Sequence, residues 1–285
     1  MLHHTFSHIP GIGHKTEIGL WEKGICTWDD CHGNFPPRFP KARAELIREY
    51  IRQSHRHFPD NPLFFSELLP PHRHWRIFPH FRDKTAFLDI ETTGQHFDDC
   101  AITTIAVYDG TDIFHYVQGE NLDDFADDIG KYQVLVSYNG KSFDIPFIER
   151  YFGLKIEQAQ IDLRHVLARL GFKGGLKSCE KQLGLDRGEL DGVDGYYAVL
   201  LWQEYEQTGD RRFLETLLAY NIDDAVNLEK LMVEAYNRNV MKTPFGEYLQ
   251  IPWPARPVST FSGNSEIIEY IRWKYFGYKP SALGF

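Results

Sequence analysis

The sequence lacks the features of membrane proteins and of disulfide-stabilised secreted proteins. Its 285 residues include four cysteines, at positions 26, 31, 100 and 179, which are too few to cross-link a chain of this length. No run approaches the roughly 18 uncharged apolar residues that a membrane-spanning helix needs. The first residues contain no basic stretch followed by an apolar run, which argues against a secretory signal. We therefore expect a cytoplasmic protein with reduced thiols and no membrane partner.

Apolar and charged residues are both present in ordinary amounts. Hydrophobic residues make up 42% of the chain and charged residues 25%, which is the balance of a chain that can bury a core. The length leaves room for one large domain, or for one domain with a small appendage. The sequence has neither an internal repeat nor a low-complexity segment.

The charge of the chain is unevenly distributed. The net charge of −9 argues against a protein that coats nucleic acid. Residues 1–84 contain 12 Lys and Arg against 9 Asp and Glu, together with 10 of the 13 histidines. Residues 85–285 contain 19 Lys and Arg against 31 Asp and Glu. Such a division fits a divalent-metal enzyme that handles polyanions, and equally fits a protein whose charged faces are merely solvated.

Local patterns divide the chain into four parts. Residues 1–58 form an expected helical region, in which residues 41–58 show the apolar period of an amphipathic helix. Residues 59–84 hold five of the fifteen prolines, which predicts a connector on the surface. Residues 85–240 form the main domain, and residues 241–285 are a C-terminal extension whose role the sequence leaves open.

The main domain alternates short β-branched runs with helical stretches. We expect strands over 85–91, 101–108, 112–118 and 134–138, and helices over 122–130, 145–152, 161–170, 176–183, 194–207 and 211–237. After residue 160 the pattern predicts helix almost throughout. This order of elements predicts an α/β fold in which helices pack on a mixed sheet.

Two acidic residues follow an apolar run at the end of the first expected strand. Asp89 and Glu91 are two residues apart, so the alternation of side chains along a strand directs both carboxylates to one face. Two carboxylates on one face repel each other unless a cation lies between them. Oxygen ligands favour Mg²⁺ or Mn²⁺. Taken alone, the pair also fits a solvated strand end.

Two further segments carry acids in positions that suit the same chemistry. Asp144 is expected to open a helix, where the helix dipole stabilises its charge. Tyr220 and Asp224 are four residues apart in a helical run and therefore lie on one face. A phenol beside a carboxylate can hold a water close to a metal. Taken singly, Asp144 also fits a helix cap, and Tyr220 with Asp224 also fits a surface pair.

Three segments together resemble the motifs of a known enzyme family. Segment 87–94 (FLDIETTG) resembles the first motif of the DnaQ-like (DEDD) 3′–5′ exonucleases, and segment 138–144 (YNGKSFD) is similar to the second. Segment 220–224 (YNIDD) resembles the third motif in its tyrosine form (DEDDy), which has the spacing Tyr-x-x-x-Asp. That spacing favours Asp224 over its rival Asp223.

The resemblance extends over residues 85–237. Within it, segments 176–184 (LKSCEKQLG) and 195–202 (GYYAVLLW) are similar to the YprB-like branch of the ribonuclease H-like predicted exonucleases. It implies a ribonuclease H-like mixed sheet flanked by helices and preceded by a small helical region. It also implies an exonuclease that uses two Mg²⁺ or Mn²⁺ ions.

The resemblance further implies a role for each residue of the site. Asp89 would bridge both ions. Glu91 and Asp224 would complete the coordination of one ion, and Asp144 would support the other. Tyr220 would orient the attacking water. The two ions would then clamp the attacking and leaving oxygens of an in-line displacement, releasing a nucleoside 5′-monophosphate from the 3′ end.

A segment near the start looks like a helix-hairpin-helix motif. The stretch IPGIGHK contains Gly11 and Gly13, which allow a tight hairpin whose exposed N–H groups can bind a phosphate. Lys15 adds a positive charge. Asn139 and Lys141, in the second exonuclease motif, complete the expected nucleic-acid-binding residues. The alternative for the N-terminal segment is a helical cap that only packs on the nuclease body.

Cysteines and histidines near the start suggest zinc only weakly. Neither the group Cys26, Cys31 and His32 nor the pair His72 and His74 has the spacing of a standard zinc site. No paired ligand set follows either group. We therefore expect no zinc from these two groups.

These observations favour a metal-dependent 3′–5′ exonuclease that acts on single-stranded DNA or RNA. An endonuclease of ribonuclease H type is an alternative, which the Tyr220–Asp224 pair disfavours. A non-catalytic adaptor that binds nucleic acid is a second alternative, which the complete set of acids disfavours. Protein partners are not predicted.

Overall fold

A mixed sheet of five strands forms the centre of the fold. The computed structural model describes residues 1–32, 40–94, 100–185 and 187–278. The strands are β1 (Thr85–Thr92), β2 (Ile102–Tyr108), β3 (Ile113–Val117), β4 (Val134–Ser137) and β5 (Ala159–Asp162). They lie in the order β3-β2-β1-β4-β5. The pairs β1–β2 and β2–β3 are antiparallel, and the pairs β1–β4 and β4–β5 are parallel. The expected α/β fold with a mixed sheet is confirmed.

The connections between the strands follow from local chemistry. The β2–β3 hairpin turns at Gly110, which has a φ of 95°. The Oδ1 atom of Asp109 accepts hydrogen bonds from the amides of Thr111 and Asp112, at 2.9 Å and 2.8 Å, and closes this turn. Parallel neighbours need longer crossovers, and helices supply them between β3 and β4 and between β4 and β5.

Helices cover both faces of the sheet. The α-helices of the described ranges are α1 (His14–Trp21), α2 (Lys41–His57), α3 (Pro62–Leu68), α4 (Asp124–Asp128), α5 (Asp144–Phe152), α6 (Leu163–Leu170), α7 (Leu176–Gln182), α8 (Gly195–Thr208), α9 (Arg211–Val240) and α10 (Ser265–Phe276). The longest, α9, packs on β1 and β2. None of the helices in these ranges combines the length and the apolar character that crossing a membrane requires.

Two elements differ from the expectation. The segment Ala159–Asp162 forms β5, although the sequence predicts a helix from residue 161. Four residues are too few to show a strand period, so pairing with β4 decides their conformation. The helix Ser265–Phe276 lies in the C-terminal extension, where no period is apparent. Its start is stabilised by Asn264, whose side chain accepts hydrogen bonds from the amides of Glu266 and Ile267.

The proline-rich segment 59–84, predicted as a connector on the surface, contributes nine buried residues out of 26 to the core. Its prolines begin short helices, as Pro62 does in α3, where a missing N–H costs nothing. Between them, aromatic side chains such as Phe65 and Phe78 are fully buried. Together with residues of the N-terminal region and of α9, they form one continuous hydrophobic core. Proline limits the length of helices here, but not the depth of burial.

The N-terminal region is organised around a buried ion pair. Glu17, in α1, has no exposed surface, and its carboxylate accepts hydrogen bonds from the amides of Phe6 and Ser7, at 2.9 Å and 3.0 Å. Arg76 binds the same carboxylate through two nitrogens, at 2.7 Å and 2.9 Å. In the described part of the chain, the only helix before α1 is the 3-10 helix Leu2–His4. Residues 33–39 of the expected helical region lie outside the described ranges.

The C-terminal extension is fastened to α8 and α9. The side chain of Asn237 donates to the carbonyl of Ile251 at 2.9 Å and accepts from its amide at 3.0 Å. Further along, α10 brings Tyr270, Lys274 and Tyr275 to the fully buried carboxylate of Glu204. The last residues of the extension, 279–285, lie outside the described ranges. The described part of the extension is therefore an integral layer of the fold.

Replacing Glu17 tests how far the N-terminal region depends on this ion pair. We expect Glu17→Gln to lower the free energy of unfolding by about 3–5 kcal/mol, because it leaves the buried guanidinium of Arg76 without its counter-charge. Urea unfolding monitored by circular dichroism measures the change. The matched control is Glu22→Gln, at an exposed position next to α1. A loss below about 1 kcal/mol, the size of an exposed pair, would contradict the assignment.

Candidate active site

The end of β1 presents two carboxylates to the face of the sheet that α9 covers. Asp89 and Glu91 point to this face, while Leu88 and Ile90 pack among the apolar residues of the opposite face. The sequence predicts this separation from the alternation of side chains along a strand. Asp89 is half-buried, and Glu91 is 9% exposed.

α9 brings a third carboxylate to the pair. Carboxylate oxygens of Asp89, Glu91 and Asp224 lie within 4.8 Å of one another. Tyr220 and Asp224 are both buried on α9, one turn apart as the sequence predicts. We define Asp89, Glu91 and Asp224 as the acidic cluster. Asp89 and Asp224 are 135 positions apart in the sequence, so the fold brings them together.

Asp144, at the start of α5, joins the site from the loop that follows β4. The parallel pairing of β1 with β4 ends at Phe87 and Val136. Beyond that point, the amide of Ile90 donates to Oδ1 of Asp144 at 3.2 Å. Burial raises the pKa of Asp144 to about 7, and the charge of Asp162 adds to the rise, whereas the hydrogen bond from Ile90 opposes it. Asp144 lies outside the group of three mutually close carboxylates.

The electrostatics of the site favour a bound cation. Burial, followed by the charge of Asp224, raises the pKa of both Asp89 and Glu91 well above the usual range. Burial and the same three carboxylates raise the pKa of Tyr220, so its phenol keeps its proton. A divalent cation would relieve this repulsion, and an all-oxygen donor set suits Mg²⁺ or Mn²⁺. The residues present therefore fit such an ion.

Two basic side chains approach the cluster, and the sequence analysis assigned neither a role. Lys177 forms an ion pair with Oδ1 of Asp224, and its Nζ lies 4.3 Å from the centre of the Tyr220 ring. Nη1 of Arg187 lies 2.7 Å from Oδ1 of Asp224 and 2.7 Å from Oε2 of Glu180. The Arg187 side chain is 6% exposed, whereas that of Lys177 is 31% exposed. Lys177 can therefore also reach a substrate in solution.

Asn221 positions Asp89. Its Nδ2 atom donates to Oδ2 of Asp89 at 2.7 Å and to the Asp89 carbonyl at 3.1 Å. Its Oδ1 atom accepts from the hydroxyl of Thr104 at 3.0 Å, which fixes the orientation of the amide. In the sequence, Asn221 is marked only by its position next to Tyr220 in the segment YNIDD. That position does not reveal that the Asn221 side chain points to β1.

Asp223 and Asp224 have different surroundings. The carboxylate of Asp223 forms an ion pair with Arg256 of the C-terminal extension and accepts from Asn227 at 3.3 Å. Asp224 alone of the two belongs to the acidic cluster. The geometry thus supports the preference for Asp224, and it gives the C-terminal extension a contact beside the site.

The loop after β4 places Asp144. A Cβ atom added at Gly140 would lie 2.6 Å from the Cβ atom of Ser137, so only glycine allows this tight return. Asn139 has a φ of 66°, which asparagine tolerates, and its amide donates to Oδ1 of Asp162 at 2.9 Å. Lys141 is exposed on the same loop. Of the expected nucleic-acid-binding residues, Asn139 and Lys141 are thus neighbours of the site.

The other three lie in the N-terminal region. Gly11, Gly13 and Lys15 are exposed around the start of α1, where Gly11 has a φ of 77° and its carbonyl accepts a hydrogen bond from Arg43. No described contact joins them to the acidic cluster. Their binding of nucleic acid stays a prediction.

Comparison with known proteins places the domain in a superfamily. The model of the RNase H superfamily matches residues 86–236, slightly more than half of the chain. Among solved structures, the family B DNA polymerase from the hyperthermophilic archaeon Pyrobaculum calidifontis is similar over 55% of this chain, at 16% sequence identity and a TM-score of 0.42. The similarity covers 24% of the polymerase, so the chain spans about a quarter of its length. No curated protein matches the sequence.

The repulsion within the cluster predicts that Asp89→Asn stabilises the metal-free protein. The pKa values of these carboxyls are higher in the folded state than in the unfolded state. Their ionisation at pH 8 therefore lowers the free energy of unfolding, and this loss disappears as the pH falls and the carboxyls are protonated. In EDTA at pH 8 we expect the unfolding midpoint to rise by about 2 °C, which corresponds to about 1 kcal/mol, and the gain to shrink towards pH 5. Asparagine retains an oxygen for the hydrogen bond from Asn221.

Thermal unfolding with and without Mn²⁺ completes this test. Mn²⁺ should raise the midpoint of the wild type and not that of the variant, because only the wild type keeps the full ligand set. Asp83→Asn, at an exposed position just before β1, is the matched control. A variant less stable than the wild type in EDTA at pH 8 would show that the cluster is not repulsive.

Proposed function

Because the chain belongs to the RNase H superfamily, we propose that it is a metal-dependent 3′–5′ exonuclease that acts on single-stranded DNA or RNA. The fold and the acidic cluster support a nuclease. The observation that carries the finer proposal is the convergence of Asp89 and Glu91 from β1 with Asp224 from α9, beside a buried tyrosine on the same helix.

The four acids divide into two groups that suit two ions. The acidic cluster would hold one ion, and Asp144 together with Asp89 would hold the other. Divalent ions bound there would stabilise the charge on the attacking and leaving oxygens of the phosphodiester. Asn221 keeps the Asp89 carboxylate in one orientation, and the amide of Ile90 does the same for Asp144.

Tyr220 would orient the attacking water. Its phenol keeps its proton at neutral pH, since burial and the nearby carboxylates raise its pKa. A protonated phenol can donate to a water oxygen, or accept from a water hydrogen, while the carboxylates around it hold the ions. In this proposal Tyr220 contributes orientation rather than charge.

The cations beside the cluster suit a phosphodiester substrate. Lys177 is partly exposed next to Asp224, so its ammonium can pair with a substrate phosphate once Asp224 binds an ion. Lys141 is exposed on the loop that carries Asp144. We propose a single strand because a 3′ end must be unpaired to be threaded into such a site.

A non-catalytic nucleic-acid-binding module is the second candidate. One observation favours it: Lys177 and Arg187 both pair with Oδ1 of Asp224, a carboxylate that an ion would need. In a protein without catalysis, these ion pairs would simply neutralise Asp224. Metal-dependent cleavage decides between the two candidates.

A cleavage assay tests the exonuclease. A single strand labelled at its 5′ end, as DNA and as RNA, should shorten stepwise from its 3′ end in Mg²⁺ or Mn²⁺, and not in EDTA. Asp89→Asn should reduce the rate by about 10³-fold or more, because it removes the carboxylate that faces both groups of ligands. Asp83→Asn should cleave at the wild-type rate.

Other results would change the assignment. Internal fragments instead of a ladder would indicate an endonuclease. Binding of the strand without cleavage in either metal would favour the non-catalytic module. Wild-type cleavage by Asp89→Asn would show that the acidic cluster is not the site.

Tyr220→Phe separates orientation from metal binding. The change removes one hydroxyl and keeps the buried ring, so we expect kcat to fall by about 10²-fold. The Mn²⁺ concentration that gives half-maximal activity should stay unchanged, because the four carboxylates are intact. Steady-state cleavage at a series of Mn²⁺ concentrations measures both. Equal losses in the two quantities would mean that Tyr220 is structural.

A further inference from the structure

Three potential metal ligands meet in the N-terminal region, and none of them belongs to the acidic cluster. His3 lies in the first 3-10 helix, Asp29 begins the 3-10 helix Asp29–His32, and His55 lies in the last turn of α2. One ligand atom of each residue lies within 4.8 Å of the other two. We define these three residues as the His–Asp–His cluster.

The distances within this cluster suit a small tetrahedral ion. Nε2 of His3 lies 3.3 Å from Oδ2 of Asp29, and Nε2 of His55 lies 3.4 Å from Oδ1 of Asp29. With zinc–ligand bonds of about 2.1 Å, two ligand atoms of a tetrahedron are about 3.4 Å apart. The two distances end at different oxygens of Asp29, and each is about the separation that a bound zinc ion requires between an imidazole nitrogen and a carboxylate oxygen.

The surrounding fold holds the ligands in place. The amide of Trp28 donates to the carbonyl of His3 at 3.2 Å, which ties the first segment to the segment of Asp29. Asp30 stabilises the turn before Asp29, since its Oδ2 atom accepts from the amides of Cys26 and Thr27 at 2.9 Å and 2.6 Å. These hydrogen bonds hold the segment of Asp29 against the first residues of the chain, and none of them uses a ligand atom of the cluster.

Trp28 forms an apolar floor under both histidines. Its ring is fully buried and makes edge contacts with the rings of His3 and His55, with centroids 5.0 Å and 5.5 Å apart. The side chains remain 32% to 63% exposed, so an ion can enter from solvent.

The cysteines and histidines considered for zinc in the sequence do not belong to this cluster. Burial raises the pKa of Cys31 to about 12 and also raises that of Cys26, which keeps both as thiols. The ring nitrogens of His74 are occupied by the carbonyls of Leu69 and Gln160, both at 2.9 Å. The His–Asp–His cluster has sequence separations of 26 residues, which no zinc spacing rule describes.

We propose that His3, Asp29 and His55 form a zinc site that fastens the first residues of the chain to α2. Two imidazoles and one carboxylate favour Zn²⁺ over Mg²⁺, because imidazole suits the borderline-soft metals whereas Mg²⁺ prefers oxygen ligands only. Three protein ligands leave the fourth position to water. The site would stabilise the N-terminal region and would be separate from the metals of the proposed exonuclease.

Zinc titration of the full chain, without an affinity tag, tests the proposal. We compare the wild type with His55→Gln and with the matched control His57→Gln, which removes an imidazole of the same helix outside the cluster. By calorimetry, the wild type and His57→Gln should each bind one equivalent of zinc at this site. The affinity of His55→Gln for that zinc should be at least about 10-fold lower. The same zinc concentration should raise the unfolding midpoint of the first two proteins only.

A further variant separates this site from the acidic cluster. Asp89→Asn should keep the zinc equivalent that His55→Gln loses. Equal zinc binding by His55→Gln and His57→Gln, or no zinc binding by the wild type, would overturn the proposal and leave two ion pairs to Asp29. If His55→Gln does not fold by circular dichroism, Asp29→Asn decides in its place, because that side chain is 63% exposed.

Discussion

The mutual repulsion of carboxylates at the end of β1 is the constraint that organises this domain. Asp89 and Glu91 emerge on one face of a strand whose other face is apolar, and α9 adds Asp224 above them. Burial of like charges is costly, and here it raises the pKa of both β1 carboxyls. The neighbouring features of the structure counter this cost. Lys177 and Arg187 pair with Asp224, and the carboxylates of the acidic cluster remain close enough together to bind a metal ion.

Hydrogen bonds to the backbone and to neutral side chains give the site its geometry. Asn221 holds Asp89, the amide of Ile90 holds Asp144, and Asp162 holds the loop at Asn139. Each of these partners lies on an element that the sheet or α9 already fixes. The orientation of Asp89 and Asp144 therefore does not depend on a bound ion, which is the preorganisation that the proposed nuclease would use.

The regions outside the superfamily match are part of the same hydrophobic core. The N-terminal region is closed by the Glu17–Arg76 ion pair and, in our proposal, by zinc at the His–Asp–His cluster. The C-terminal extension reaches the site itself, since Arg256 pairs with Asp223 next to Asp224. Asp223 is thereby occupied by the extension, and its neighbour Asp224 is the one that faces β1. The extension thus contacts the neighbour of a cluster residue, while Arg187 lies near both acids.

The sequence predicts the features that depend on local periodicity. It predicted the α/β class with its mixed sheet, the first four strands, the shared face of Asp89 and Glu91, and the one-turn spacing of Tyr220 and Asp224. Which distant segments meet follows from the packing of the folded chain. The strand β5 exists because β4 pairs with it, and part of the segment 59–84 is buried because its aromatic rings pack in the core despite the prolines. Likewise, Lys177 and Arg187 reach Asp224, Asn221 reaches Asp89, and His3 meets His55. All of these contacts join segments that are far apart in the sequence. The physical reason is that side-chain alternation and helical period act over a few residues, whereas these contacts follow from packing between elements that the pattern of a single segment does not encode.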